Sequence, residues 1–162
     1  MNTVAVLTIS DSAFQGTRED VSGPAIVKEL AAAGFKVSRT AILPDEHDAI
    51  QEQLIDCCQQ VDLVVTVGGT GIAARDVTPE ATLAVVDRRV DGIPEKMRAA
   101  GNKKTPLAAL SRGICGVRGQ SLILNLPGSP KAAVESLQAV VEILPHALDL
   151  LRGNTDHTPR SG

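Results

Sequence analysis

With 162 residues, 43% of them hydrophobic and 22% charged, the chain has the composition of one soluble globular domain. It holds two Phe and neither Tyr nor Trp, which removes the stacking platforms of single-stranded nucleic-acid binders. A net charge of −3 and a pI near 5.6 argue against nucleic-acid or anionic-membrane partners, so an anionic ligand would need local cations such as Arg75, Arg112, Arg118 and Lys131.

Thr3 to Ile9 reads as a buried first strand, followed by a polar loop to Asp20. Ser22-Gly23-Pro24 opens a helix through Ala33, and Gly34 closes it. Phe35 to Leu43 alternates as a more exposed strand, Pro44-Asp45-Glu46 turns the chain, and a helix follows from about His47 to Gln60. Val61 to Val67 is nearly all apolar, the pattern of a strand covered on both faces. A helix from Pro79 is expected to run to Asp87 or Arg88, and a short one over Glu95 to Ala100. Leu110 to Val117 and Gln120 to Leu126 read as strands of a hairpin around Arg118-Gly119. The last helix, Lys131 to Leu151, carries apolar residues at i, i+3, i+4, i+7 and an interruption at Pro145. Residues 1–153 make the domain and 154–162 a polar tail. The expected fold class is a single-domain α/β sandwich with a mostly parallel sheet and one antiparallel hairpin. Cys57, Cys58 and Cys115 lack CxxC spacing and read as buried thiols of a reducing compartment. With no leader and no apolar run near the ~18 residues of a membrane span, a cytoplasmic protein is expected.

Three glycines, Gly68, Gly69 and Gly71, follow the third strand, and Thr78-Pro79-Glu80 then announces a helix. Amides unobstructed by a Cβ, close to a helix start, suit an anion. The bland alternative is a tight loop with a solvated Arg75-Asp76 pair. Gly69, Gly71 and Ala74 satisfy the dinucleotide fingerprint only weakly, because the loop follows the third strand and no acid ends a strand about 20 residues on. This leaves a NAD-dependent oxidoreductase as a minor reading. Pro127-Gly128-Ser129-Pro130-Lys131 is a second glycine-bearing loop at a helix start, where Lys131 is tolerable if an anion sits nearby. Asp11 and Asp45 each read alone as turn or cap residues, and Asp76 as the partner of Arg75. Together on one rim they make a carboxylate set for Mg²⁺. The site therefore depends on the loops after the first, third and last strands converging at the carboxyl ends of the sheet.

Several strings carry a resemblance: TISD (Thr8 to Asp11), DVSGP (Asp20 to Pro24), PDE (Pro44 to Glu46), VGGTGIAARDVTPEAT (Val67 to Thr82), LSR (Leu110 to Arg112) and LILNLPGSPKA (Leu122 to Ala132). In this order they resemble the MogA/MoaB family of molybdenum cofactor biosynthesis, over about Thr3 to Arg152. The PDE and RD matches favour the catalytic, MogA-like side; the absence of a longer segment before the final helix turn is more MoaB-like. The resemblance implies a molybdopterin adenylyltransferase, using ATP and Mg²⁺, with a homotrimer and hand-over to a MoeA-like molybdenum insertase. It implies catalytic roles, and metal ligation, for Asp45 and Asp76. It implies phosphate binding by Gly68, Gly69, Thr70, Gly71, Gly128, Ser129 and Lys131, and pterin contacts from Asp11, Ser22, Arg75, Ser111 and Arg112. The alternative is a non-catalytic pterin- or nucleotide-binding MoaB-type protein, against which Asp45 and Asp76 speak.

Overall fold

The computed structural model describes residues 1–155; the expected tail over 154–162 lies largely outside them. Strands β1 (Thr3–Ile9), β2 (Lys36–Leu43), β3 (Leu63–Val67), β4 (Arg88–Arg89), β5 (Cys115–Arg118) and β6 (Ser121–Leu126) form one sheet. Their spatial order is β2-β1-β3-β6-β5-β4. The first four run parallel, and β5 and β4 complete the sheet antiparallel. Helices α1 (Asp11–Phe14), α2 (Ser22–Ala32), α3 (His47–Cys58), α4 (Thr78–Leu83), α5 (Gly92–Asn102), α6 (Pro130–Val140) and α7 (Leu144–Leu151) complete it, with a 3-10 turn at Pro106–Leu110.

The period-two alternation of the central strands divides two apolar layers. Val4 and Val6 of β1, Leu63 and Val65 of β3, and Leu122 and Leu124 of β6 pack with Ile26, Leu137 and Leu148 of the α2, α6 and α7 side. Ala5, Leu7, Val64 and Ile123 pack on the other face with Ile50 and Leu54 of α3 and Ala81 of α4. Aliphatic side chains dominate these layers, with Phe35 the one aromatic among them, as the composition requires. Asn125 is buried on the α3/α4 face. It donates to the hydroxyls of Thr66 and Thr82, both at 3.0 Å, and accepts from Ile114 N–H at 3.1 Å.

Four expectations need correction. Asp11–Phe14 is a helical turn rather than loop, because Ser10 Oγ caps it by accepting from Ala13 N–H at 3.2 Å. Helix α4 stops at Leu83, and Asp87 and Val90 bond instead to Val117 and Cys115, drawing Arg88–Arg89 into the sheet as an edge strand. Helix α5 is longer than expected at both ends. The hairpin's first strand begins only at Cys115, because Leu110 lies in the 3-10 turn and Arg112 N–H is held by Thr70 O at 2.7 Å. The interruption at Pro145 occurs as expected. A 3-10 turn over Val141–Ile143 separates α6 from α7, since proline cannot donate to the residue one turn earlier. Cys57 and Cys115 are buried, Cys58 is half-buried, and all three thiols are free. Burial pushes the Cys115 thiol up to about 12 and that of Cys58 up to about 11, away from the thiolate form. No helix among the described residues is long and apolar enough to cross a membrane.

Candidate functional site

At the carboxyl ends of the parallel strands the glycine loops meet. Gly68 N–H donates to Leu126 O at 3.0 Å, and a Cβ built on Gly128 would lie 3.4 Å from Gly68 Cα. Thr70 and Gly128 line the same cleft of about 510 Å³, with Gly69, Gly71, Asp76 and Ser129. Helix α6 begins there: Ser129 caps it, Pro130 occupies its first turn, and its positive dipole end is directed at the cleft. Gly68 and Gly69 adopt φ of +108° and +68°. A Cβ on Gly68 would stand 2.3 Å from Ile9 O, and one on Gly69 would stand 2.2 Å from Thr78 Oγ1 and 3.1 Å from Asp45 Oδ1. Only glycine fits either place.

Thr78 fixes this loop from beneath. Its Oγ1 donates to Gly68 O at 3.0 Å, its N–H to Gly69 O at 3.1 Å, and Thr82 Oγ1 in turn donates to Thr78 O at 2.8 Å. Arg112 fixes it from above. Nε donates to Gly71 O at 2.7 Å, Nη2 donates to Asp76 O at 2.8 Å, and Nη1 pairs with Glu80. That pairing holds the Glu80 carboxyl below its ordinary range. The guanidinium is thus spent on loop backbone. Lysine, with a single ammonium, cannot replace this three-way fork. Arg112→Lys is expected to cost about 1–3 kcal/mol, seen as a thermal midpoint lowered by roughly 3–10 °C. An unchanged midpoint would show that the clamp is dispensable.

The aspartates form a second layer beside the loop. Asp11 Oδ1 accepts from Asp45 N–H at 2.9 Å, and Asp45 Oδ2 accepts from Asp11 N–H at 3.0 Å, which locks β1 to β2. Arg75 binds Asp11 through Nε and Nη2, each at 2.9 Å. The Asp45 N–H, with the Arg75 guanidinium, holds the Asp11 carboxyl below its ordinary value. Burial pushes Asp45 up instead, and the negative charges of Asp11 and Asp76 add to the rise. Asp76 Oδ2 accepts from Ala73 N–H at 3.0 Å. Asp45 Oδ1 and Asp76 Oδ1 make no hydrogen bond among the described residues. Asp45 and Arg75 line a smaller recess of about 320 Å³ with His47 and Asp48.

The sequence-based site residues therefore divide. Gly69, Thr70, Gly71, Asp76, Ser111, Gly128 and Ser129 share the main cleft. Asp11, Asp45 and Arg75 flank it. Ser22 braces the second loop, donating to Gly128 O at 2.6 Å. Lys131 is exposed and lies outside the cleft lining, and Arg118 pairs with Ser121 at the opposite end of β6. Asp11 has both oxygens engaged, and no group of three acids, cysteines or histidines poised to hold a metal occurs among the described residues; the three-carboxylate set reduces to Asp45 and Asp76. The dinucleotide fingerprint is not realised, because helix α4 starts only at Thr78, after Ala74. Sequence reasoning missed the rest of the cleft lining, which includes Met97, Arg98 and Gly101 of α5, Leu107 and Ala108 of the 3-10 turn, and Glu135 of α6. The signal was the amphipathic spacing of these segments, which looks the same for a face turned to a cleft as for one turned to the core.

Fold and cleft together define an α/β protein whose glycine loops and acidic side chains meet in one cleft at the carboxyl ends of its parallel strands. A family model described as "Probable molybdopterin binding domain" matches residues 5–146. The molybdopterin adenylyltransferase of Helicobacter pylori (strain J99) is 45% identical over 155 residues, covering 93% of this chain and 88% of the relative. That of Escherichia coli K12 is 39% identical over 172 residues, covering 94% and 88%. The crystal structure of the molybdopterin biosynthesis enzyme MoaB from Thermus thermophilus superposes with a TM-score of 0.90 at 52% identity, covering 94% of this chain and 98% of that one. The chain belongs to the MogA/MoaB family of molybdenum cofactor biosynthesis proteins.

Proposed function

We propose that the protein is a molybdopterin adenylyltransferase of the MogA-like, catalytic kind. In that reaction an oxygen of the terminal phosphate of molybdopterin attacks the α-phosphorus of ATP, the bond to the β-phosphate bridging oxygen breaks, and pyrophosphate leaves. The reading rests on one observation: the amides of Gly69 to Gly71, the start of α6 and the Asp76 carboxylate share a single cleft. Nucleotidyl transfer asks a protein mainly for positioning and charge neutralisation. The attacking phosphate is already ionised, so no general base is needed, consistent with His47 lying in α3 and His146 in α7 rather than in the glycine loops.

In this reading the Gly69–Gly71 amides and the α6 start hold phosphate, and Asp45 and Asp76 are the residues that would hold Mg²⁺. Two carboxylates with phosphate oxygens and water suit that ion. Bound there, Mg²⁺ supplies charge neutralisation for the triphosphate. Arg75, in the recess with Asp45, offsets charge on the departing pyrophosphate. Arg112 and Ser22 act by holding the two loops in place. A homotrimer of this domain, a cytoplasmic location and delivery of the adenylylated pterin to a MoeA-like insertase complete the proposal. Incubation with molybdopterin, ATP and Mg²⁺ is expected to release pyrophosphate in step with pterin consumption. Binding of both ligands without pyrophosphate release would favour a non-catalytic MoaB-type carrier instead.

The charge balance also predicts a pH response. Asp45 must be ionised to hold the cation, and its carboxyl lies above the ordinary 3.8 because of burial first and the neighbouring carboxylates second. Activity should therefore fall on the acid side at a higher pH than an ordinary aspartate would give. Arg75 opposes this rise. Arg75→Gln is expected to move the acid limb of kcat/KM further up, and a limb that stays put or moves down would refute the assignment. The stability signs differ between the partners. Asp11, depressed in the fold, stabilises above its unfolded pKa and loses that contribution as pH falls through its folded value. Asp45, raised in the fold, destabilises progressively as pH rises from its unfolded through its folded value.

A further inference from the structure

The end of the cleft away from the glycine loop has a polarity that phosphate binding does not explain. Helix α6 turns Ala133, Leu137 and Val140 into the core. Ser129, Ala132, Glu135 and Ser136, spaced by three and four residues, form its cleft face. Opposite stand Met97, Leu107 and Ala108. The lining here is largely aliphatic, with Thr105 and Arg98 beside it; Arg98 Nη1 is spent on Ser111 O and Gly113 O, and Glu135 is the carboxylate on the α6 wall. Glu135 is 24% exposed, and its Oε1 meets Lys104 Nζ at 3.3 Å, while Oε2 makes no hydrogen bond among the described residues. Lys104 is 55% exposed, and such a pair contributes little stability by itself. A stabilising surface pair would not need its acid in a cleft wall.

We propose that Glu135 reads the pyrimidine edge of the pterin ring and so fixes which substrate occupies this end of the cleft. The assignment rests on the adenylyl-transfer reading for the identity of the substrates. A carboxylate only accepts hydrogen bonds, and it accepts two parallel ones best. The 2-amino-4-oxopyrimidine edge of a pterin offers two adjacent donors, N3–H and the 2-amino group. The corresponding edge of adenine sets one donor beside the N1 lone pair, which faces a carboxylate oxygen unfavourably. The ring then lies against Met97, Leu107 and Ala108 on one side and Ala132 on the other, and the terminal phosphate reaches Gly69 to Gly71. The volume of about 510 Å³ lies in the range of small-molecule sites, roughly 300–1,000 Å³. Lys104 Nζ meets Glu135 Oε1 from outside the cleft lining and leaves Oε2 without a partner among the described residues.

The test is equilibrium binding of molybdopterin without ATP, with the KM for ATP measured separately, for the parent protein and for Glu135→Gln and Lys104→Met. Gln presents one donor and one acceptor in the same shape, so Glu135→Gln should weaken pterin binding about 10–100-fold. The KM for ATP should stay within about twofold, and the thermal midpoint should not move. Lys104→Met removes the ion pair but keeps the carboxylate, and should leave pterin binding within about threefold. Pterin binding undiminished in Glu135→Gln, a shift in the ATP KM instead, or equal damage from Lys104→Met would each overturn the proposal. If the parent protein binds pterin through Glu135 but releases no pyrophosphate, adenylyl transfer fails as the function and this recognition stands.

Discussion

Asp76→Asn is expected to lower kcat for pyrophosphate release by about 10²–10³-fold, with little change in the thermal midpoint. The substitution separates charge from shape. The amide oxygen of Asn can still accept from Ala73 N–H, so the turn that places residue 76 keeps its closing bond. The Arg112 contact to this residue is to its backbone carbonyl and is unaffected. What disappears is the negative charge, and with it the ability to hold a divalent cation against phosphate oxygens. Added Mg²⁺ should restore the rate only partly, at concentrations well above those needed by the parent protein. Asp76→Ala removes the turn contact as well and should lose some stability besides the activity. A rate in Asp76→Asn within about twofold of the parent would remove Asp76 from the chemistry and shift the burden to Asp45 alone.

The parts of the molecule that sequence made legible are those governed by local rules. Buried parallel strands announce themselves as apolar runs, and β1, β3 and β6 lie close to the expected positions. Glycines before a helix start mark the loop at Gly68 to Gly71 because few other local structures need that chemistry, although Thr78, which reads as the cap, is the first helical residue and braces Gly68 O instead. What escaped was decided by tertiary contacts. Arg88–Arg89 becomes a strand only because β5 offers an edge. Arg112 stands in an LSR string and resembles a ligand-binding residue. Its donors go to Gly71, Asp76 and Glu80, partners more than 30 positions away in the chain. Asp11 likewise reads as a rim carboxylate, and only the fold shows its oxygens spent on Asp45 N–H and Arg75. Glu135 lies within an amphipathic helix, where spacing tells which residues share a face but not what that face meets.

Gly69→Ala should be a severe backbone lesion. At φ of +68° an alanine pays the left-handed cost of about 1–2 kcal/mol before any contact is counted. Its Cβ would then press on Thr78 Oγ1 at 2.2 Å, the hydroxyl that holds Gly68 O, and approach Asp45 Oδ1 at 3.1 Å. One methyl group therefore strains the loop, displaces its brace and crowds a carboxylate assigned to the cation. Stability should fall by about 2–4 kcal/mol, or roughly 5–15 °C in thermal midpoint, and kcat/KM by more than about 10²-fold. Gly119→Ala separates the two causes. Its φ is +59°, but nothing lies within 4 Å of the added Cβ, at the hairpin on the far end of the sheet. It should lose about 1 kcal/mol and no activity. Thr78→Ala in the Gly69→Ala background removes the struck hydroxyl, so the double variant should be more stable than the sum of the two single losses. Strict additivity would mean that the loop yields elsewhere and that Thr78 is not what holds the amides in position.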